Sequence, residues 1–197
     1  MKQRKLILAS SSPRRRELIH TLGLPVEIKK NDVDETINKN MTPSEVVKEL
    51  SLRKANAAYA ACKEDNEHGI IVGSDTIVVL DGKRLGKPKN KDDAFHMLNM
   101  LQGNIHEVYS GIACIDSESG KTQVNDSMTR VKIKTLSSEQ IKRYINTGEP
   151  MDKAGAYGIQ GLGATFVKKI DGDYFTVVGL PLALLADMLG EFDIQVI

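Results

Sequence analysis

Leu6-Ile7-Leu8-Ala9-Ser10-Ser11-Ser12-Pro13-Arg14-Arg15-Arg16-Glu17-Leu18 carries an apolar run of strand character into three serines, a proline and three arginines. Ser12 is a good helix N-cap, and Pro13 suits the first helical position, where its missing N–H is no loss. Leu18, Ile19 and Leu22 then recur at helical spacing, and Gly23 supplies the stop. The arginines are the anomaly. A helix N-terminus carries roughly half a positive charge, so each cation in the first turn costs roughly 0.3–1 kcal/mol unless an anion sits there. Backbone N–H groups, small hydroxyls and guanidinium forks gathered in one place describe an anion site, above all for phosphate. The alternative is a solvated basic turn whose charges point outward.

Working outward, Val26-Glu27-Ile28 reads as a short strand that leads into the acidic loop Asn31-Asp32-Val33-Asp34-Glu35. Thr42-Pro43-Ser44-Glu45 forms a capping box. The helix it opens places Val46, Val47, Leu50, Ala57 and Ala58 on one face, with Lys54 on the same stripe. That lysine either snorkels or reaches into a cleft bordered by the apolar face.

Residues 70–80 form the strongest strand, and Asp81-Gly82 is a two-residue hairpin signal leading to a return strand around 83–85. Asn90 and Asp93 start a helix closed by Gly103. Strands are expected over 106–115 and 128–135, and Ser137 with Gln140 caps a helix that ends at Gly148. Residues 149–164, rich in glycine and without a sustained period, read as an ordered loop lining something. A hairpin is expected next, from Thr165–Ile170 through Asp171-Gly172 to Tyr174–Val178. Gly179-Leu180-Pro181 then opens a closing helix. Strands and helices alternate without a strict βαβ rhythm, which predicts an α/β chain with a mixed sheet flanked by helices.

The 197 residues suit a single domain, or two lobes sharing a core. With 27% charged residues and a net charge of +1, no global field draws the chain to nucleic acid or membrane. No apolar run approaches the roughly 20 residues of a membrane span, and the N-terminal apolar stretch is too short for a signal peptide. Cys62 and Cys114 are expected to be reduced core thiols in a cytoplasmic protein.

Asp75 is the second anomaly, because it interrupts the apolar strand on the face of Ile71, Gly73, Ile77 and Val79. A carboxylate placed there is expensive unless paired, hydrogen-bonded or bound to a metal. It is either functional or a structural ion pair with Lys54 or an arginine. Gly73 beside it lets a ligand or another backbone come close. Asp32, Asp34 and Glu35 form either a solvated turn or the source of a second carboxylate. Paired with Asp75, that carboxylate would suit a hard divalent cation such as Mg²⁺. Lys87, between Gly86 and Pro88, is an exposed turn lysine or a second phosphate anchor. His20, His68, His96 and His106 lack metal-ligand spacing. These parts point to metal-assisted phosphoryl chemistry, with cations on a polyphosphate and a carboxylate preparing water.

Five ordered motifs carry a family resemblance: Leu-Ala-Ser-Ser-Ser-Pro-Arg-Arg, Gly-Ser-Asp-Thr, Gly-Lys-Pro, Asp-Lys-Ala-Gly-Ala-Tyr-Gly-Ile-Gln-Gly and Val-Gly-Leu-Pro. Together they resemble the signatures of the Maf (septum-formation) family from residue 6 to the C-terminal helix. The resemblance implies an α/β fold like that of inosine triphosphate pyrophosphatases, with a strongly twisted mixed sheet and two lobes around a deep cleft, over one catalytic domain of residues 1–197. It further implies cleavage of nucleoside triphosphates between the α and β phosphates with a divalent cation, Mg²⁺ or Mn²⁺, and a homodimer.

By position, the resemblance makes Asp75 the proton acceptor and Glu35 the acidic-loop carboxylate that assists the metal, both of them metal ligands. Ser10, Arg15, Lys54 and Lys87 would contact the triphosphate. Arg14, Thr76 and Gln160 match the branch acting on dTTP and UTP. A glutamine amide both donates and accepts towards a pyrimidine edge, whereas an ionised glutamate only accepts. An aspartate bound to Mg²⁺ is a weakened base, so Glu35 is the candidate partner, with Asp75 taken first. The rival readings are a 7-methyl-GTP pyrophosphatase of the same family and a non-enzymatic nucleic-acid-binding regulator of cell division. The second is opposed by the near-neutral charge and the lack of interleaved aromatic and basic residues. A triphosphate partner is expected, without stable nucleic acid or membrane binding.

Overall fold

The computed structural model describes residues 4–30 and 32–197; Asn31, the first residue of the expected acidic loop, lies outside them. The chain is a mixed α/β fold. Its strands are β1 (Leu6–Ala9), β2 (Val26–Ile28), β3 (Ile70–Leu80), β4 (Lys83–Leu85), β5 (Ile105–Asp116), β6 (Thr122–Ile133) and β7 (Val167–Asp171). Its helices are α1 (Pro13–His20), α2 (Pro43–Glu64), α3 (Lys91–Leu101), α4 (Ser138–Asn146), α5 (Tyr174–Val178) and α6 (Leu182–Gly190). The sheet order is β2-β1-β3-β5-β6-β7, with β4 beside β3. β1 runs parallel to both β2 and β3, whereas β4 and β7 pair antiparallel, so the sheet is mixed as expected.

The chain sorts into two compact units. One comprises 1–75, 110–127 and 179–197, and the other 76–109 and 128–178. The first is built on β1, whose four residues are fully buried as a central parallel strand requires. Ile7, Ala9, Ile71, Ala113 and Ile115 of the sheet pack with Ala55, Ala58 and Cys62 of α2. The expected capping box starts α2: Thr42 accepts from the Glu45 N–H while the Glu45 carboxylate accepts from the Thr42 N–H. Gly73 and Gly111 explain how closely α2 lies. A Cβ at Gly73 would sit 2.8 Å from the Ala55 nitrogen, and one at Gly111 would strike the Val47 carbonyl. Of the two visitors Gly73 could admit, it admits a backbone.

The second unit gathers Val78, Leu98, Leu101, Ile133, Ile141, Tyr144, Tyr157 and Phe166 into its core. The β3–β4 turn has positive φ at both Asp81 (48°) and Gly82 (73°), as a tight two-residue hairpin demands. Residues 149–166 form three short 3₁₀ turns.

Two expectations are corrected. β6 begins at Thr122, six residues before the expected start; Thr122–Ser127 carry no clean apolar alternation, and the turn that fixes them depends on Gly120 at φ 74°. The expected return strand Tyr174–Val178 is the short helix α5. The Asp173 carboxylate accepts from the Thr176 N–H (2.6 Å) and hydroxyl (2.7 Å), which nucleates a helical turn, while β7 finds its partner in β6 instead. Both cysteines are free and buried, and burial pushes the Cys114 thiol up to about 12. Among the described residues no helix is long and apolar enough to cross a membrane.

Candidate active site

The turn from β1 into α1 is organised by hydroxyls. Ser12 caps α1 by accepting from the Arg15 N–H (3.4 Å), with Pro13 at the first helical position. The buried Ser10 hydroxyl accepts from the Ser12 N–H (3.2 Å) and from Arg15 Nη1 (3.5 Å). The half-buried Arg15 side chain is aimed further by its Nε, which donates to the Gly179 carbonyl at 2.7 Å. Burial lowers the Arg15 pKa, and neighbouring Arg14 lowers it further. The negative charges of Asp75 and Glu35 oppose both, so Arg15 shares one electrostatic field with the two candidate carboxylates.

Those carboxylates meet on a lysine. Because Gly73 brings α2 close to β3, Lys54 lies against Asp75, and its ammonium donates to Asp75 Oδ1 at 2.5 Å. The same nitrogen pairs with Glu35 Oε1 at 2.8 Å. The Asp75 and Lys54 side chains are only 11% and 14% exposed, against 62% for Glu35. Lys54 therefore reaches inward rather than snorkelling, and Asp75 is charge-compensated as its burial requires. Among the acids of the loop, Glu35 is the one on Lys54. Asp34 instead accepts from the Thr36 N–H (2.8 Å), and hydrogen bonding by Thr36 holds its carboxyl below the usual range.

Ser10, Arg15, Lys54, Glu35 and Asp75 are thus brought together on the first unit, with half-buried Arg14 beside Arg15. Thr76, Lys87 and Gln160 belong to the second unit. There Thr76 is half-buried in β3, Lys87 is exposed after β4, and Gln160 is half-buried with extended backbone. The Gly155 N–H donates to the Gly86 carbonyl at 3.0 Å, joining the Gly-Lys-Pro turn to the segment that leads to Gln160.

Three residues to which the sequence assigns no site role, Gly179, Ser74 and Arg53, support the site. The Gly179 carbonyl accepts from both Arg15 Nε and the buried Ser74 hydroxyl (3.0 Å), and Gly179 itself sits at φ 123°, a conformation that favours glycine. Arg53 donates from Nη1 to the carbonyls of Asp34 (3.0 Å) and Thr36 (2.7 Å), bracketing Glu35, while its Nε bonds Glu49 (2.7 Å). Gly179 was visible in Val-Gly-Leu-Pro, but nothing local marks its carbonyl as an acceptor. Arg53 reads as an ordinary i,i+4 partner of Glu49.

Among the described residues no group of three or more His, Cys, Asp or Glu could hold a metal ion. The donor set nevertheless fits a hard cation of the Mg²⁺ kind. Such ions take one or two carboxylates and complete their shell with water and substrate phosphates. Asp75 Oδ1 and Glu35 Oε1, both within reach of one ammonium nitrogen, would supply those two oxygens.

The family model described as "Maf-like protein" matches residues 5–192. The dTTP/UTP pyrophosphatase of Desulforamulus reducens is 48% identical over 194 residues, covering 98% of this chain and 100% of that protein. The dTTP/UTP pyrophosphatase of Pelotomaculum thermopropionicum is 50% identical over the same extent. The Staphylococcus aureus Ham1 protein shares the fold with a TM-score of 0.54 at 16% identity, covering 95% of this chain and 99% of that one. A family match over nearly all of the sequence, with relatives about half identical along their full length, leads to one conclusion: the chain belongs to the Maf-like protein family.

Proposed function

We propose that this chain is a nucleoside triphosphate pyrophosphatase that hydrolyses dTTP and UTP to the monophosphate and pyrophosphate. The observation that carries the reading is a single ammonium, Lys54, bonded to both Asp75 and Glu35 with Arg15 in the same field. Relatives 48–50% identical over their whole length are dTTP/UTP pyrophosphatases, which favours that branch over 7-methyl-GTP.

In this reading Asp75 accepts the proton of the attacking water as the new P–O bond forms, and pyrophosphate departs with the electrons of the α–β bridge. Arg15, Ser10, Lys54 and Lys87 neutralise and orient the triphosphate, supplying donors where charge develops. Asp75 and Glu35 would hold the divalent cation, which when bound polarises phosphoryl oxygens. Lys54 then has phosphate as its alternative partner. Arg14, Thr76 and Gln160 are assigned to base choice, Gln160 because its amide complements a pyrimidine edge in both directions. One catalytic domain over 1–197, a homodimer and a cytoplasmic setting belong to the same proposal and rest on the family resemblance.

The test is a pyrophosphate-release screen across natural and modified triphosphates with Mg²⁺ or Mn²⁺. Turnover should be highest for dTTP and UTP and should vanish on chelation. Release confined to other bases would overturn the substrate assignment. Salt-sensitive duplex binding without any release would restore the nucleic-acid reading.

A further inference from the structure

The loop that carries Gln160 has no strand or helix ladder of its own between 157 and 160, and the 3₁₀ turn that follows it at Gly161–Phe166 leaves its leading N–H groups without intrahelical partners, so these backbone donors need acceptors from elsewhere. They find a carboxylate and a phenol. Glu149 accepts from the Leu162 N–H with Oε2 and from the Gly163 N–H with Oε1, both at 2.9 Å. Its Oε1 also accepts from the Tyr144 hydroxyl at 2.9 Å, and that hydroxyl oxygen accepts from the Gly158 N–H at 3.3 Å. The bonded positions flank residue 160 on both sides, two before it and two and three after. Tyr144 is rigid in turn: it is 4% exposed and stacks edge-on against Phe166, centroids 4.8 Å apart.

The surrounding glycines fit the same arrangement. Gly161, at φ 70°, would bring a Cβ within 2.8 Å of Glu149 Oε2, and a Cβ on Gly163 would lie 2.6 Å from Tyr144 Oη. The loop is therefore wrapped round an internal anion, in the manner of a backbone nest that takes its carboxylate from its own chain. Burial raises the Glu149 pKa, but the Gly163 and Leu162 N–H groups and the Tyr144 hydroxyl outweigh it, and the carboxyl is held below its usual range.

We propose that Tyr144 and Glu149 are positioning residues for base discrimination, suspending Gln160 from both sides so that its amide is presented in one place. The inference rests on Gln160 as the base-reading residue. At positions 3 and 4 thymine and cytosine each present one donor and one acceptor, in opposite order, so an amide free to shift would serve either. A backbone fixed beneath the glutamine limits where its amide can lie and which groups it can meet.

The experiment compares Tyr144→Phe, Glu149→Gln and Gln160→Ala in the full chain. Three quantities are measured: kcat/KM for dTTP and for dCTP, competitive inhibition by inorganic tripolyphosphate, and amide hydrogen exchange over residues 158–163. In both positioning variants the dTTP/dCTP ratio should fall at least fivefold towards that of Gln160→Ala. Exchange in the loop should quicken and tripolyphosphate inhibition should stay as in the parent. A ratio kept in Tyr144→Phe and Glu149→Gln but lost in Gln160→Ala would overturn this inference alone. A ratio kept in Gln160→Ala would overturn the reading of Gln160 and this inference with it. Should Glu149→Gln not fold, Tyr144→Phe, which keeps its ring against Phe166, decides the matter.

Discussion

In the proposed reaction Asp75 is the reacting group and Gly179 a support. Replacing Asp75 with Asn removes the proton acceptor yet leaves an oxygen for Lys54, which also keeps Glu35. Turnover should drop by about 10²–10⁴-fold, with a stability loss of about 1–3 kcal/mol. A purified Asp75→Asn protein releasing pyrophosphate at the parental rate would remove Asp75 from the role of base. Gly179→Ala acts by another route. At φ 123° an alanine is strained by about 1–3 kcal/mol, and relief of that strain turns the carbonyl away from Arg15 Nε. We expect kcat/KM to fall about 10–100-fold, with weaker tripolyphosphate inhibition as the sign that phosphate binding is what suffers. The two residues differ in how legible they are in the sequence. Asp75 announces itself as an acid in an apolar strand, but Gly179 shows only a glycine before Leu-Pro.

The elements follow the sequence closely where their signals are local. The Ser12 and Thr42 caps, the Asp81-Gly82 turn and the apolar run of β3 occur as expected because each depends on neighbours a few residues away. Tyr174–Val178 went the other way. Its β-branched and aromatic residues favour a strand, yet the Asp173 carboxylate takes the Thr176 N–H and turns the segment into α5. The contact between α2 and β3 likewise hangs on one missing Cβ. Gly73→Ala would push α2 off the sheet, and with it Lys54 off Asp75. A loss of about 1–3 kcal/mol in unfolding free energy, together with reduced turnover, is the expected outcome, measurable by urea denaturation and pyrophosphate release. Wild-type stability in that variant would show that α2 can be accommodated without the glycine.

Across the molecule, acid sensitivity should be set in part by a group with no assigned part in the reaction. His106 is 1% exposed, its Nε2 lies 2.7 Å from Tyr157 Oη, and burial lowers its pKa to about 4. The unfolded chain takes up this proton near pH 6.5 and the folded one only near pH 4, so stability falls as pH drops between those values. At about 1.4 kcal/mol per unit the loss reaches roughly 3 kcal/mol. Denaturation midpoints at pH 7.5 and 4.5 should show it, and His106→Gln should flatten the slope; an equal slope in that variant would exclude His106 as its source. The contrast between the two levels of information lies in the range of the forces. Caps, turns and apolar periodicity act between neighbours, so most of the strands and helices, the capped serine turn before the arginines and the misplaced acid could be read along the chain. Arg15 and Gly179 stand 164 positions apart, and Lys54 and Asp75 stand 21 apart on different elements. Such pairs meet only after helix and sheet have packed, which is why the pairing of Lys54 with Asp75 and Glu35 and the aim of Arg15 belonged to the folded molecule.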